Sequence, residues 1–167
     1  YFTSIAGDSA SVGMLMFLTA ASEAPFWLIA GRLTERFGYK RMMIISAVVT
    51  GFRWTLLSVA TNPNAAILIN LTHGFCFVTL NFCIVTFINQ NIPKDLRATG
   101  QSLNNMVSTI LSRAIGGVVI GYLSDLFGVP VMLRFVGAAA FVSAVIFITV
   151  YNAIERTEKL KSAKAAT

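Results

Sequence analysis

"GRLTERFGYKRM", Gly31 to Met42, gathers four of the chain's 13 Lys and Arg residues into one short stretch of a 167-residue sequence that is 56% hydrophobic and only 12% charged. Long apolar runs flank it. Working outward, such runs occupy 9–31, 42–61, 64–90, 98–124 and 131–153, each near or above the ~20 residues a helix needs to cross the hydrocarbon of a bilayer. A mean hydropathy of +0.72 excludes a soluble domain of this size, which must cover its surface with many more polar side chains. The pattern predicts an all-α integral membrane bundle with five transmembrane helices within 9–154. Residues 1–8 are too short to span and are predicted to be an external loop or the end of a preceding helix; 155–167 are predicted to be a polar, disordered tail. Nothing at the amino end has the charged region and cleavage site of a signal peptide, and the chain reads as cut from something longer.

The connectors set the orientation. Arg32, Arg36, Lys40, Arg41, Lys94, Arg97, Arg156, Lys159, Lys161 and Lys164 lie in alternate connectors and the tail, whereas "TNPN" (Thr61 to Asn64) and "SDLFGVP" (Ser124 to Pro130) carry no Lys or Arg. The positive-inside rule makes the basic connectors and the carboxy terminus cytoplasmic. The net charge of +6 is then a topology signal, and no nucleic-acid partner is expected. Cys76 and Cys83 stand two turns apart on one apolar helix, ~10 Å along its axis and too far apart to bridge. With no paired Cys/His spacing, no phosphate-cradling glycine loop and no nucleophile motif, the sequence predicts no metal, no cofactor and no enzyme.

Ionisable residues inside the spans carry the functional signal. Glu23, Arg53, His73 and Arg113 fall at bilayer depth, with Arg134 near the outer end of the last helix; a charge there costs at least ~2.5 kcal/mol and usually faces a cavity or a partner. Counted from the basic connectors at ~1.5 Å per residue, Glu23 lies ~14 Å, Arg53 ~18 Å and Arg113 ~24 Å above the inner edge, and His73, counted from the outer end of a ~30 Å core, ~16 Å. Three charges on three helices share one level. Polar stripes run beside them: Ser46, Thr50 and Arg53 on the second helix, Asn70, His73 and Asn81 on the third, and Gln101, Asn105, Ser108 and Ser112 on the fourth. Arg53 is expected to pair with Glu23 in one state and with substrate or His73 in another. Pro25 is predicted to kink or unwind the first helix just below Glu23. Gly116, Gly117 and Gly121, and likewise Gly137 to Ala140 with Ala144, are predicted to be close-packing faces.

The opening stretch also resembles a signature. "GRLTERFGYKR" is similar to the loop G-x-L-a-D-R-x-G-R-K of the major facilitator superfamily, with Glu35 for the usual Asp and Tyr39 for the usual Arg. Joining two helices with three more behind it, it places the chain as the carboxy-terminal half of such a transporter, with the five runs as helices 8 to 12. The resemblance implies that Gly31 allows close helix approach and that Glu35, Arg36, Gly38, Lys40 and Arg41 belong to a cytoplasmic gate. Its usual partners lie in the amino-terminal half of the same protein. Within the superfamily the spacing of Gly38, Arg53 and His73 resembles that of lactose permease-like oligosaccharide:proton symporters and of related nucleoside and aromatic-acid permeases. Cys76 stands where the symporters carry a proton-bearing acid, and Glu23 sits about one turn nearer the cytoplasm than their substrate-binding glutamate.

Together the midplane charges and the resemblance lead to the expectation of a secondary transporter in the plasma (inner) membrane. It would carry a small polar solute, sugar-like or nucleoside-like, by proton-coupled symport with alternating access. Substrate, protons, the bilayer and the amino-terminal half are its expected partners. Glu23, Arg53, His73, Asn70, Asn81 and Asn105 are the candidate substrate and proton residues, with Glu23 as the proton carrier. The alternatives are a drug or metabolite antiporter or facilitator, and a non-transporting membrane module on the same fold.

Overall fold

The computed structural model describes residues 9–165, which are helical almost throughout. Among the described residues five stretches are long and apolar enough to cross a membrane: Val12–Phe37, Tyr39–Val59, Pro63–Asn91, Lys94–Phe127 and Val129–Ala153. They coincide with the five apolar runs, the first run starting three residues before its span and the second ending two residues after its own. What the sequence assigned to connectors is largely helix as well. The basic stretch is two helix ends: α2 (Glu23–Phe37) and α3 (Tyr39–Val59) meet at Gly38 alone, whose φ of 81° is a conformation open to glycine at little cost. The expectation for residues 1–8 lies outside the described residues. The tail departs from expectation, because α8 (Val129–Ala165) continues as helix through it; its Glu, Lys and Ala are good helix formers.

Three spans are not single regular helices. The first divides at Ser22 into α1 (Ser9–Ala21) and α2, and the third divides at Thr72 into α4 (Pro63–Leu71) and α5 (His73–Asn91). The break in the first span lies before Glu23, not below it as the sequence suggested. Pro25 removes its own N–H and its ring crowds the carbonyl four residues back, that of Ala21, so the disruption propagates toward the amino end. At Thr72 the cause is a hydroxyl competing with the helix ladder: both the Thr72 N–H and its Oγ1 donate to the Ile69 carbonyl, at 3.2 and 2.6 Å. The fourth span comprises a short 3-10 turn (Lys94–Leu96), α6 (Arg97–Asn105), a wide π-helical stretch (Met106–Leu111) and α7 (Ser112–Phe127). The wide turn closes where the Ser112 N–H bonds to the Val107 carbonyl five residues back, with Ser112 Oγ donating to the same carbonyl at 2.8 Å; such π-turns are often found at functional sites.

The second span is the centre of the bundle. It packs along the fifth span and, on its other side, against the third, which in turn packs against the first. Lipid tails are as apolar as the side chains, so close packing of small residues drives these contacts. On the face between α3 and α8, Gly137 lies against Thr55 and the Gly51 carbonyl, and an added Cβ would sit 2.6 and 3.1 Å from them. Phe52 and Phe141 meet edge to face at 5.1 Å, and Ala144 is buried. The predicted close-packing face around Gly137 and Ala144 is therefore used. That of Gly116, Gly117 and Gly121 is not: nothing described lies within 4 Å of a Cβ built on any of the three. The fourth span meets the rest of the bundle through α6, which packs on α5, and through α7, which packs on α8.

The tightest approach joins the first and third spans. A Cβ on Gly74 would collide with the Ser22 carbonyl and come within 2.9 Å of the Glu23 nitrogen. At Gly31, by contrast, an added Cβ would meet only the Phe82 ring, at an ordinary 3.7 Å. Close approach of these two spans thus depends on Gly74 and not on Gly31. Gly74→Ala should lower the thermal midpoint of the detergent-solubilised protein by the equivalent of about 1–3 kcal/mol, with Gly31→Ala near the parent value. Equal midpoints for the two variants would contradict this packing.

Candidate functional site

The breaks in the first and third spans face each other. Ser22 and Thr72 hold nearly the same backbone angles, φ −63°, ψ −19° and φ −71°, ψ −9°, and Ser22 Oγ accepts the Gly74 N–H at 3.1 Å while donating to the Thr19 carbonyl at 2.6 Å. The residue after each break is ionisable. Glu23 begins α2 and His73 begins α5, and the close approach at Gly74 brings Glu23 Oε1 to 3.6 Å from His73 Nε2. Each is about a quarter exposed. The amino end of α2 favours the Glu23 carboxylate electrostatically, and His73 stacks at 5.5 Å on Phe77 one turn further along α5. The shared depth that the sequence assigned to Glu23 and His73 is thus realised as contact.

Arg53 lies beside this pair on α3 and is 7% exposed. Its partner differs from the expected one. Arg53 Nη2 donates to Asn70 Oδ1 at 2.6 Å, and Asn70 Nδ2 donates to the Ala66 carbonyl of its own helix at 3.0 Å. The guanidinium stands 4.6 Å over the Trp54 ring. Glu23 is taken by His73 because the packed breaks bring α2 and α5 together, whereas Asn70, in the last turn before the break at Thr72, is the acceptor that α4 presents to α3. Arg53 Nε is buried without a hydrogen-bond partner among the described residues. A guanidinium has five donors in a planar fork. One side of this fork is committed to Asn70, so the group retains capacity for a further planar or hydroxylated acceptor.

Asn81 and Asn105 are not in this cluster. They line a separate polar cleft of about 600 Å³ between α5 and the fourth span, together with Gln101, Asn104, Ser108 and Arg113. The cleft also borders Phe77, so His73, Phe77 and Asn81 form one continuous face of α5 at four-residue steps. The candidate residues therefore divide into a charged cluster and an amide-rich cleft joined through one aromatic ring. Sequence reasoning found Glu23, Arg53, His73 and Asn70 but missed Ser22, Trp54, Phe77 and Asn104. Trp54 beside Arg53, and Phe77 four residues after His73, were legible as aromatic neighbours of charged groups at helical spacing.

At the basic end of the bundle, Gly31, Glu35 and Gly38 line a second cleft, about 470 Å³, with Tyr39, Phe82 and Gln90. Glu35 and Arg36 are exposed, Arg36 lies 5.6 Å over the Phe37 ring, and Lys40 stands 5.2 Å over Tyr151 of the last span. Arg41 is exposed as well. Among the described residues the one ion pair is that of Glu23 and His73. Cys76 and Cys83 are buried and free; the Cys76 carbonyl accepts Ser46 Oγ at 2.7 Å, and Cys83 Sγ lies 3.9 Å from Thr34 Oγ1.

The sequence profile of the MFS_1 like family matches residues 1–136. The chain belongs to this family of the major facilitator superfamily. It is 24% identical over 145 residues to the maltose permease of Geobacillus stearothermophilus, a match covering 86% of this chain and 36% of that protein. It is 26% identical over 137 residues to the multi-drug resistance efflux pump PmrA of Streptococcus pneumoniae, covering 81% and 34% respectively. The chain thus spans about a third of the length of these curated relatives. The crystal structure of the nucleoside transporter NupG superposes with a TM-score of 0.79 at 20% identity, covering 89% of this chain and 41% of that one. This likeness establishes the all-helical fold; the family match and the five apolar spans make the chain a multi-pass membrane domain of the superfamily.

The Arg53 and Asn70 bond generates a test. Asn70→Ala removes the acceptor and leaves that side of the buried guanidinium unpaired, which costs about 1.5–3 kcal/mol for a hydrogen bond to a charged group. Asn70→Asp keeps an acceptor and adds a countercharge. The Ala variant should therefore unfold well below the parent in detergent and the Asp variant should not; equal losses in both would show that Arg53 does not depend on this acceptor.

Proposed function

We propose that the chain is the carboxy-terminal half of a secondary transporter of the inner membrane, with the basic connectors and the carboxy terminus in the cytoplasm, and that the whole protein moves a small polar solute by proton-coupled symport. The observation that carries this reading is the Glu23 and His73 contact at two facing helix breaks, next to the partly unsatisfied Arg53. Interrupted spans that bring polar groups to mid-membrane are the usual construction of transporter sites. A purely structural bundle does not require an acid, an imidazole and a guanidinium at one depth.

In this reading Glu23 carries the proton. Ionised, it is held by His73 and by the amino end of α2. Protonated, it releases His73 and becomes a hydrogen-bond donor to solute. Arg53 supplies the fixed donors, its planar fork matching a carboxylate, a vicinal diol or a nucleobase edge. The amide cleft around Asn81 and Asn105 extends the site, since side-chain amides offer paired donors and acceptors to a ligand rich in hydroxyls or carbonyls. The names of the maltose permease and the nucleoside transporter among the similar proteins support a solute of that kind. The likeness to a multi-drug efflux pump is the observation that favours antiport as a second reading. Both readings are of transport and not of catalysis.

The test uses vesicles containing the whole transporter, an imposed pH gradient, and a panel of labelled sugars and nucleosides. Glu23→Gln holds the side chain neutral, so uphill accumulation should be lost while exchange of labelled for unlabelled solute persists. Undiminished accumulation in the Gln variant would overturn the assignment of the proton to Glu23. Outward movement of solute driven by the same gradient would replace symport with antiport.

A further inference from the structure

The basic stretch has a second copy in the chain. Residues 31–42 read GRLTERFGYKRM and residues 121–132 read GYLSDLFGVPVM. At a constant offset of ninety positions, Gly31, Leu33, Phe37, Gly38 and Met42 recur as Gly121, Leu123, Phe127, Gly128 and Met132, and Thr34 and Glu35 are replaced in kind by Ser124 and Asp125. The local structures agree. Gly38 and Gly128 are the two residues of positive φ among those described, at φ 81°, ψ 141° and φ 78°, ψ 157°. Each is the single residue between two helices. Its N–H bonds to the carbonyl of Thr34 (2.8 Å) or Ser124 (2.9 Å), and its own carbonyl accepts the N–H of Met42 or Met132, at 3.1 Å in both. Both methionines are buried, and both acids are exposed.

Packing relates the two copies by a two-fold axis. Along α3 and α8, Lys40 meets Tyr151, Gly51 meets Phe141, and Thr55 meets Gly137. The partner number falls as the residue number rises, so the helices are antiparallel. Phe141 is also the counterpart of Gly51 at the ninety-position offset. In a two-fold arrangement a residue touches its own counterpart only at the axis, so the axis passes between Gly51 and Phe141, and the turns at Gly38 and Gly128 lie at opposite ends of the bundle. Inverted repeats of this kind underlie alternating access in transporters.

The differences between the copies sharpen the inference. Arg36, Lys40 and Arg41 become Leu126, Pro130 and Val131, which the positive-inside rule explains for two turns on opposite sides of a membrane. The acid is kept although topology does not need it. Local helix energetics do not need it either, because Glu35 and Asp125 both lie in the last turn of a helix, where the macrodipole disfavours negative charge. Neither forms an ion pair among the described residues. We infer that Asp125 is the outer counterpart of Glu35: a positioning residue, aimed by the turn at Gly128, that latches the outer side closed through a cationic side chain of the facing half. This rests on the transporter reading for the facing half.

The experiment reads side-specific access and not transport. In the whole protein, Ser108→Cys places a thiol in the polar cleft, and its labelling by a membrane-impermeant maleimide is followed from each side in right-side-out and inside-out vesicles. Asp125→Asn should raise the outer labelling rate and lower the inner one, by about two- to fivefold for loss of a surface ion pair. Glu35→Gln should do the reverse, and Asp125→Glu should behave as the parent. Asp125 is exposed, so Asn leaves the packed core untouched. No change with Asp125→Asn, or a change in the same direction as with Glu35→Gln, overturns the outer latch while leaving the transporter reading intact. Labelling from one side only in every variant overturns alternating access itself, and the latch with it.

Discussion

A guanidinium placed in hydrocarbon must be given acceptors, and much of this bundle is arranged around that requirement. Arg53 is buried on the central helix of the domain. Its acceptor, Asn70, is fixed by the carbonyl of Ala66 and lies in the last turn before the third span breaks at Thr72. The break at Thr72, and the glycine two residues later, bring that span against the break at Ser22 and so set His73 beside Glu23. Removing any one of these constraints frees the others: without Gly74 the two breaks separate, and without the breaks the acid and the imidazole lose the positions that make them partners.

Stability and function draw on different parts of the chain. The second span packs on the fifth through Gly51, Thr55, Gly137 and Phe141, a rigid antiparallel pair around the axis of the inverted repeat. The fourth span has the opposite character. Its body is unburied by the described residues, it contains the π-helical stretch, and its amide- and hydroxyl-rich face borders the polar cleft. A rigid pair with a loosely held, polar-faced helix beside it suits a domain that must keep its shape while one wall of a cavity rearranges.

The five spans and the common level of Glu23 and His73 were legible in the sequence, because apolar run length and the spacing of charges within such runs are local signals. Which charge meets which was not. Depth counting places three groups on one level but says nothing of rotation about each helix axis, and it was the break at Ser22, on the other side of Glu23 from where Pro25 suggested it, together with the unforeseen break at Thr72, that turned Glu23 toward His73. The glycines divide similarly: among the described residues Gly137 and Gly74 are points of close approach, Gly31 and Gly121 are not, and spacing alone does not distinguish a small residue pressed against a helix from one facing open space. Asp125 stays hidden when its connector is weighed for charge balance alone, although the recurrence of the basic stretch ninety positions later is plain in the sequence.

The Glu23 and His73 contact is proposed to be a working proton site and not a permanent structural pair. Infrared difference spectra of the whole transporter, recorded as solute is added at constant pH and assigned by loss of the band in Glu23→Gln, test it most directly. Solute is expected to change the protonated-carboxyl signal of Glu23, with a matching change in the imidazole bands of His73. A carboxylate signal from Glu23 that stays the same with and without solute, across the pH range in which the protein is folded, would contradict it.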